Sequence, residues 1–182
     1  MASAISHAVA ALAIGACFYR PGVPRRIWAV GALCAVLPDL DVLGFRLGIH
    51  YEDTLGHRGF SHSLCFAALL AAFLVAVVFR RGALNLSRPA LFAFFFLATA
   101  SHGFLDAMTD GGLGVAFFSP FTNTRYFLPW RPIHVSPIGL SRFFTARALA
   151  VLWSEFLWIW IPAAILAISA RVIRRPSSPA VA

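Results

Sequence analysis

Five apolar runs, separated by breaks rich in arginine, constrain this chain more than any other feature. They cover residues 2–18, 27–37, 63–79, 89–100 and 149–170. A membrane-spanning helix needs about 20 apolar residues. The second and fourth runs fall short of that, but each continues into a segment that holds a few polar residues, PDLD and SHGFLDAM, and so extended both nearly span. Of the 182 residues only 12% are charged and 60% are hydrophobic, where a soluble domain carries roughly 25% charged residues. A soluble domain and a disordered chain are both excluded. The expected fold class is all-α, a polytopic membrane helix bundle of about five helices. The opening MASAISHAVAALAIGACFYR has no basic region ahead of its apolar run and a histidine within it. It reads as a retained helix and not as a cleaved signal. Cys17, Cys34 and Cys65 lie in apolar runs without paired spacing, which suits small core residues better than a disulfide or thiolate site.

All 15 basic residues are arginines, set against 7 acids, for a net charge of +8. Arg20, Arg25 and Arg26 follow the first run, Arg80, Arg81 and Arg88 the third, and Arg171, Arg174 and Arg175 the fifth. With five helices these clusters share one face, which the positive-inside rule makes cytoplasmic. The chain is therefore expected to be a multi-pass protein of a bacterial inner membrane, N-terminus out and C-terminus in. A nucleic-acid partner is not expected, because the clusters are short and fit the topology rule. Residues 1–175 read as one domain and 176–182 as a disordered tail.

Depth then groups the remaining polar residues. At roughly 1.5 Å per helical residue, His7 lies about 20 Å from Arg20, and Asp39 about 20 Å from Arg26. His102 and Asp106 lie about 21 and 27 Å from Arg88, His62 about 27 Å from Arg80, and Glu155 about 24 Å from Arg171. Six ionisable residues from five segments thus fall in one thin layer near the outer membrane face. Such groups are costly there unless they pair, bind metal or face a wet cavity.

His102 and Asp106, spaced i,i+4, share a helix face and can grip a metal or line a polar helix contact. Asp39 and Asp41 follow Pro38, which ends or kinks the second helix. Two carboxylates so close repel unless a cation lies between them, although a turn pair is the alternative. His57, Arg58 and His62 in GHRGFSHSL suit metal plus phosphate, since imidazole binds zinc and Arg offers a fork to a phosphoryl group. Ser61 or Ser63 is the expected cap of the third helix. His7 is either a ligand or a hydrogen-bonded core residue. Glu155 is a ligand, a base or an arginine partner. His50 and His134 lack partners at helical spacing and are left out, Asp110 reads as a turn residue, and Glu52 and Asp53 as a solvated loop. Arg125 and Arg131, among the aromatic residues after the fourth run, either grip lipid phosphate or anchor at the interface.

The segments SHAVAALAIG, LPDLD, HRGFSHS and SHGFLDAMTDGGLGVAFFSPF, with RYFLPWRPI, resemble the YdjM-like family of LexA-regulated, membrane-bound, metal-dependent hydrolases. The resemblance covers roughly residues 3–140. It implies a distant similarity to zinc-dependent phospholipase C and single-strand nucleases, and metal ligands at His7, Asp39, His57, His62, His102 and Asp106. The expectation is a hydrolase of a lipid or lipid-linked phosphoester, with its site facing the extracytoplasmic side. Two or three divalent ions, zinc or else manganese, would serve it. Asp39 or Asp41 would bridge or act as base, and Arg58, with Arg125 and Arg131, would meet the phosphate. The alternative is a non-enzymatic membrane protein, an ion carrier or a scaffold with a structural metal site.

Overall fold

Three of the apolar runs begin their helices at a serine cap. In the computed structural model, which describes residues 1–80, 85–136 and 146–174, the chain forms five helical rods. Helix α1, Ala4–Phe18, opens at Ser3, whose hydroxyl accepts the Ser6 amide. Helix α2, Arg25–Val36, runs directly into a 3-10 helix, Leu37–Leu47, with Pro38 in its first turn. Helix α3, Leu64–Phe73, is capped by Ser63 and closes in a π-helical turn, Leu74–Val78. Helix α4, Arg88–Ala107, is capped by Ser87 with proline in its first turn. Helix α5, Ala146–Glu155, continues through a π-helical segment, Phe156–Trp160, into α6, Ile161–Ile173, as one rod. Among the described residues there is no strand. Two isolated bridges, Thr109 to Ile133 and Val115 to Tyr126, order the irregular stretch after α4.

Three rods are long and apolar enough to cross a membrane: Arg25–Leu47 with 23 residues, Arg88–Ala107 with 20 and Ala148–Ile173 with 26. The extensions through PDLD and SHGFLDAM are thus helical. Helix α1 and the Leu64–Val78 segment are shorter apolar helices, and at 15 residues α1 reaches only about 22 Å. They fall short because their serine caps start them at the level of the polar residues, where the chain turns away.

In a lipid setting the helices gain little by hiding apolar surface from one another, so close van der Waals contact decides how they pack. Small residues provide it. Ala11, Ala67, Ala71 and Ala98 are fully buried, as are Phe94 and Phe95 of α4. A Cβ at Gly31 of α2 would lie 2.3 Å from the Phe94 ring, so only glycine admits this ring. Leu33, Leu69, Val77, Leu149, Ile165 and Ile168 point outward, each more than half exposed.

The bundle has two unlike ends. At one, the Arg174 guanidinium reaches the carbonyls of Ala16 and Tyr19 at the end of α1. Asn85, just before α4, bonds the Pro21 carbonyl there at 2.6 Å. The three arginine clusters therefore meet at one end, as the sequence requires, although Arg81, Arg175 and the expected disordered tail, 176–182, lie outside the described residues. The start of α1, the 3-10 helix after α2, the start of α3 and the C-terminal end of α4 gather at the other.

Candidate metal centre

The 3-10 helix makes three residues per turn, so residues two apart point to different sides. Asp39 consequently faces α4, with its Oδ1 3.3 Å from His102 Nε2 and 3.7 Å from His62 Nε2. Asp41 faces the 57–62 loop, 2.6 Å from His57 Nδ1 and 3.1 Å from His62 Nδ1. On α4, the i,i+4 spacing puts His102 and Asp106 on one buried face, both fully enclosed. Gly103 between them lets the 60–62 segment approach, since a Cβ there would lie 2.8 Å from the His62 carbonyl. From α1, His7 stacks on the His102 ring at 3.7 Å and lies 3.5 Å from Asp106.

All six residues implied as ligands therefore converge, together with Asp41. Six of them form two overlapping groups, Asp39–His62–His102–Asp106 and Asp41–His57–His62, each with candidate ligand atoms within 4.8 Å of one another, and His7 belongs to neither. The first group fits a cation on hydrogen-bond grounds. His102 Nδ1 lies 2.7 Å from the Ala35 carbonyl, an acceptor, so Nδ1 carries the proton and Nε2 a lone pair. His62 Nε2 sits 3.0 Å from that lone pair. Both Asp39 oxygens, Asp106 Oδ2 and both His7 ring nitrogens are buried without a hydrogen-bond partner. Electron-rich atoms crowded together in this way are unstable without a positive charge among them.

Arg58 supplies part of that charge. Its φ of +63° is unusual for a side-chain-bearing residue. Its Nε lies 3.0 Å from Asp106 Oδ2, a charge contact without a hydrogen bond. Its two terminal nitrogens bond the Gly111 carbonyl at 2.8 Å and the Thr109 hydroxyl at 3.0 Å. At 1% exposure, this fork is engaged within the protein. Arg125 is similarly engaged, donating to the carbonyls of His57 at 2.8 Å and Tyr51 at 2.7 Å, so it braces the 51–58 loop. Arg131 is exposed and lies over the Phe127 ring at 4.6 Å.

Several residues take roles the sequence did not show. Glu155, read as a ligand, a base or an arginine partner, instead accepts the Ser3 amide and the hydroxyls of Ser3 and Ser6, tying α5 to α1. Of the two candidate caps, Ser63 caps α3, while Ser61 bonds Asp41 at 2.6 Å. His134, set aside for want of a helical partner, pairs with Asp110 at 2.7 Å across an irregular loop. Burial pushes the Tyr51 phenol above its usual pKa. Cys17, Cys34 and Cys65 are free and none belongs to the metal-binding groups.

This polar centre, held among apolar helices, occurs in a chain that the YdjM inner membrane protein family matches over residues 1–177. The chain belongs to that family. The Escherichia coli (strain K12) protein named inner membrane protein YbcI is 38% identical to it over 169 residues, covering 91% of this chain and 95% of YbcI. No solved structure matches the chain. Membership of the YdjM family and the three spanning-length helices make this a membrane protein.

Proposed function

We propose that this YdjM-family chain binds a divalent cation in its buried His/Asp group and uses it to hydrolyse a phosphoester, carried by a membrane lipid or a lipid-linked substrate. The convergence of the unpaired carboxylate oxygens of Asp39 and Asp106 with the ring nitrogens of His62 and His102 carries this reading. When bound, zinc or manganese would supply Lewis acidity toward a phosphoryl oxygen and an attacking water. Asp39, 8% exposed, is the least enclosed member of that group and marks its accessible side. Beside it on the 3-10 helix, Leu40 and Leu43 are more than half exposed, an apolar surface across which a lipid substrate can approach. Arg58 offsets the charge of Asp106, and Arg131, exposed over the Phe127 ring, has no such ion pair among the described residues and is proposed to meet a phosphate. The arginine end is assigned to the cytoplasm, with the N-terminus out, the C-terminus in and the site on the extracytoplasmic side.

Purified protein reloaded with zinc or manganese should hydrolyse a phosphodiester or phosphomonoester lipid, and Asp39→Asn should abolish the reaction. No turnover across such a panel, by protein that retains its metal, contradicts the hydrolase reading. Burial favours the second reading, a structural metal site in a carrier or scaffold: His7, His102 and Asp106 have no exposed surface. In that case metal removal lowers thermal stability, and no lipid is cleaved.

A further inference from the structure

Two aspartates two residues apart differ completely in how their oxygens are satisfied. Asp39 has both oxygens buried without a hydrogen bond. Asp41 is surrounded by donors: His57 Nδ1 at 2.6 Å on Oδ1, and Ser61 Oγ at 2.6 Å, the Arg58 amide at 3.2 Å and His62 Nδ1 at 3.1 Å on Oδ2. Each oxygen of an ionised carboxylate offers about two lone-pair positions, so Oδ2 is filled and Oδ1 is engaged by His57. We propose that Asp41, assisted by Ser61, is a positioning carboxylate that holds His57 and His62 by their Nδ1–H groups, and that the centre takes one divalent cation, in the Asp39–His62–His102–Asp106 group. This deepens the metal-binding part of the function proposed above and rests on it.

His62 is the residue through which Asp41 acts. With Nδ1–H directed at Asp41 and at the Ser61 hydroxyl 2.9 Å away, its Nε2 is left for the inner group. There Nε2 lies 3.6 Å from Asp106 Oδ2 and 3.7 Å from Asp39 Oδ1. A carboxylate behind a metal-binding imidazole fixes the tautomer and the ring plane, and its loss typically costs 10–100-fold in affinity. A second cation among Asp41, His57 and His62 would have to remove the Nδ1 protons of both rings and break the bonds those protons make with Asp41 and Ser61. The inner group gives up only the proton between His62 Nε2 and His102 Nε2, since both Asp39 oxygens and Asp106 Oδ2 are unpaired already.

The test measures the zinc-to-protein ratio and zinc affinity, by chelator competition, of full-length protein in detergent. Wild type should hold one ion per chain. Asp41→Asn should still hold one, with affinity lowered roughly 10–100-fold. Ser61→Ala should also hold one, with a smaller loss. The visible spectrum of the cobalt-loaded protein should shift in Asp41→Asn, because the donor strength of His62 changes, an effect general loosening of the fold does not produce. Two ions in wild type falling to one in Asp41→Asn would make Asp41 a ligand and overturn the proposal. Unchanged affinity in both variants would overturn it as well. If Asp41→Asn does not fold, the wild-type ratio and the Ser61→Ala affinity decide. No bound metal in wild type overturns the metal reading itself, a result distinct from the two-ion outcome.

Discussion

At His62 the demands of burial and of charge meet on one ring. Burial opposes a charge on this imidazole, but the carboxylates of Asp106, Asp39 and Asp41 around it outweigh it and push its pKa up to about 10. Without a cation, His62 therefore holds a proton throughout the neutral range, and that proton does part of the neutralising that a metal would do. A cation taking Nε2 must displace it. Metal binding should thus release a proton, and the apparent affinity should rise with pH up to about 10 and fall as the solution becomes acidic. Calorimetric titration of zinc in two buffers of unlike ionisation enthalpy measures that release; equal heats in both would contradict it. The ligand candidates were legible because ionisable residues are scarce in an apolar chain and share one depth. Ser61, Thr109 and the serines that hold Glu155 were not, since a hydroxyl bonds whatever the fold brings near and leaves no spacing in the sequence.

Helix α4 contributes two residues of the centre and also the Phe94 contact at the centre of the bundle, so its two halves can be tested separately. At Gly103 an added Cβ meets the backbone carbonyl of His62, which cannot swing aside as a side chain would. Gly103→Ala should displace His62 and weaken zinc binding at least several-fold. At Gly31 the added Cβ meets the Phe94 ring instead. Gly31→Ala should cost about 1–3 kcal/mol of stability through overpacking while leaving zinc affinity near that of wild type. Thermal unfolding in detergent and chelator competition on both variants check this; matched losses of affinity would contradict the separation. The rods themselves were legible from apolar runs, caps and the continuation through PDLD. The bounds of α1 and of the Leu64–Val78 segment also lie within one or two residues of their apolar runs, 2–18 and 63–79. Hydropathy marks where a helix can run, whereas Ser3 and Ser63 decide where the hydrogen bonding begins.

The whole molecule is polarised along the bundle axis, with arginines at one end and the His/Asp centre toward the other. Orientation in the membrane follows from that asymmetry, and single-cysteine labelling with an impermeant thiol reagent tests it. In intact cells, a cysteine introduced at residue 53, in the loop between the 3-10 helix and α3, should react. One introduced at residue 87, at the arginine end, should react only after the cells are opened. The reverse pattern would invert the topology. Positive charge placement was readable in the sequence because it depends on loops alone. The bonds that order the irregular stretch after α4 were not, because they are long-range, such as Asp110 with His134 and Arg125 with Tyr51. The central claim is that the buried His/Asp group exists to hold a metal ion. Elemental analysis of purified wild type and His102→Ala tests it most directly. Wild type should carry a stoichiometric divalent metal that His102→Ala loses while remaining folded; a metal-free wild type, or equal metal in both, would contradict it.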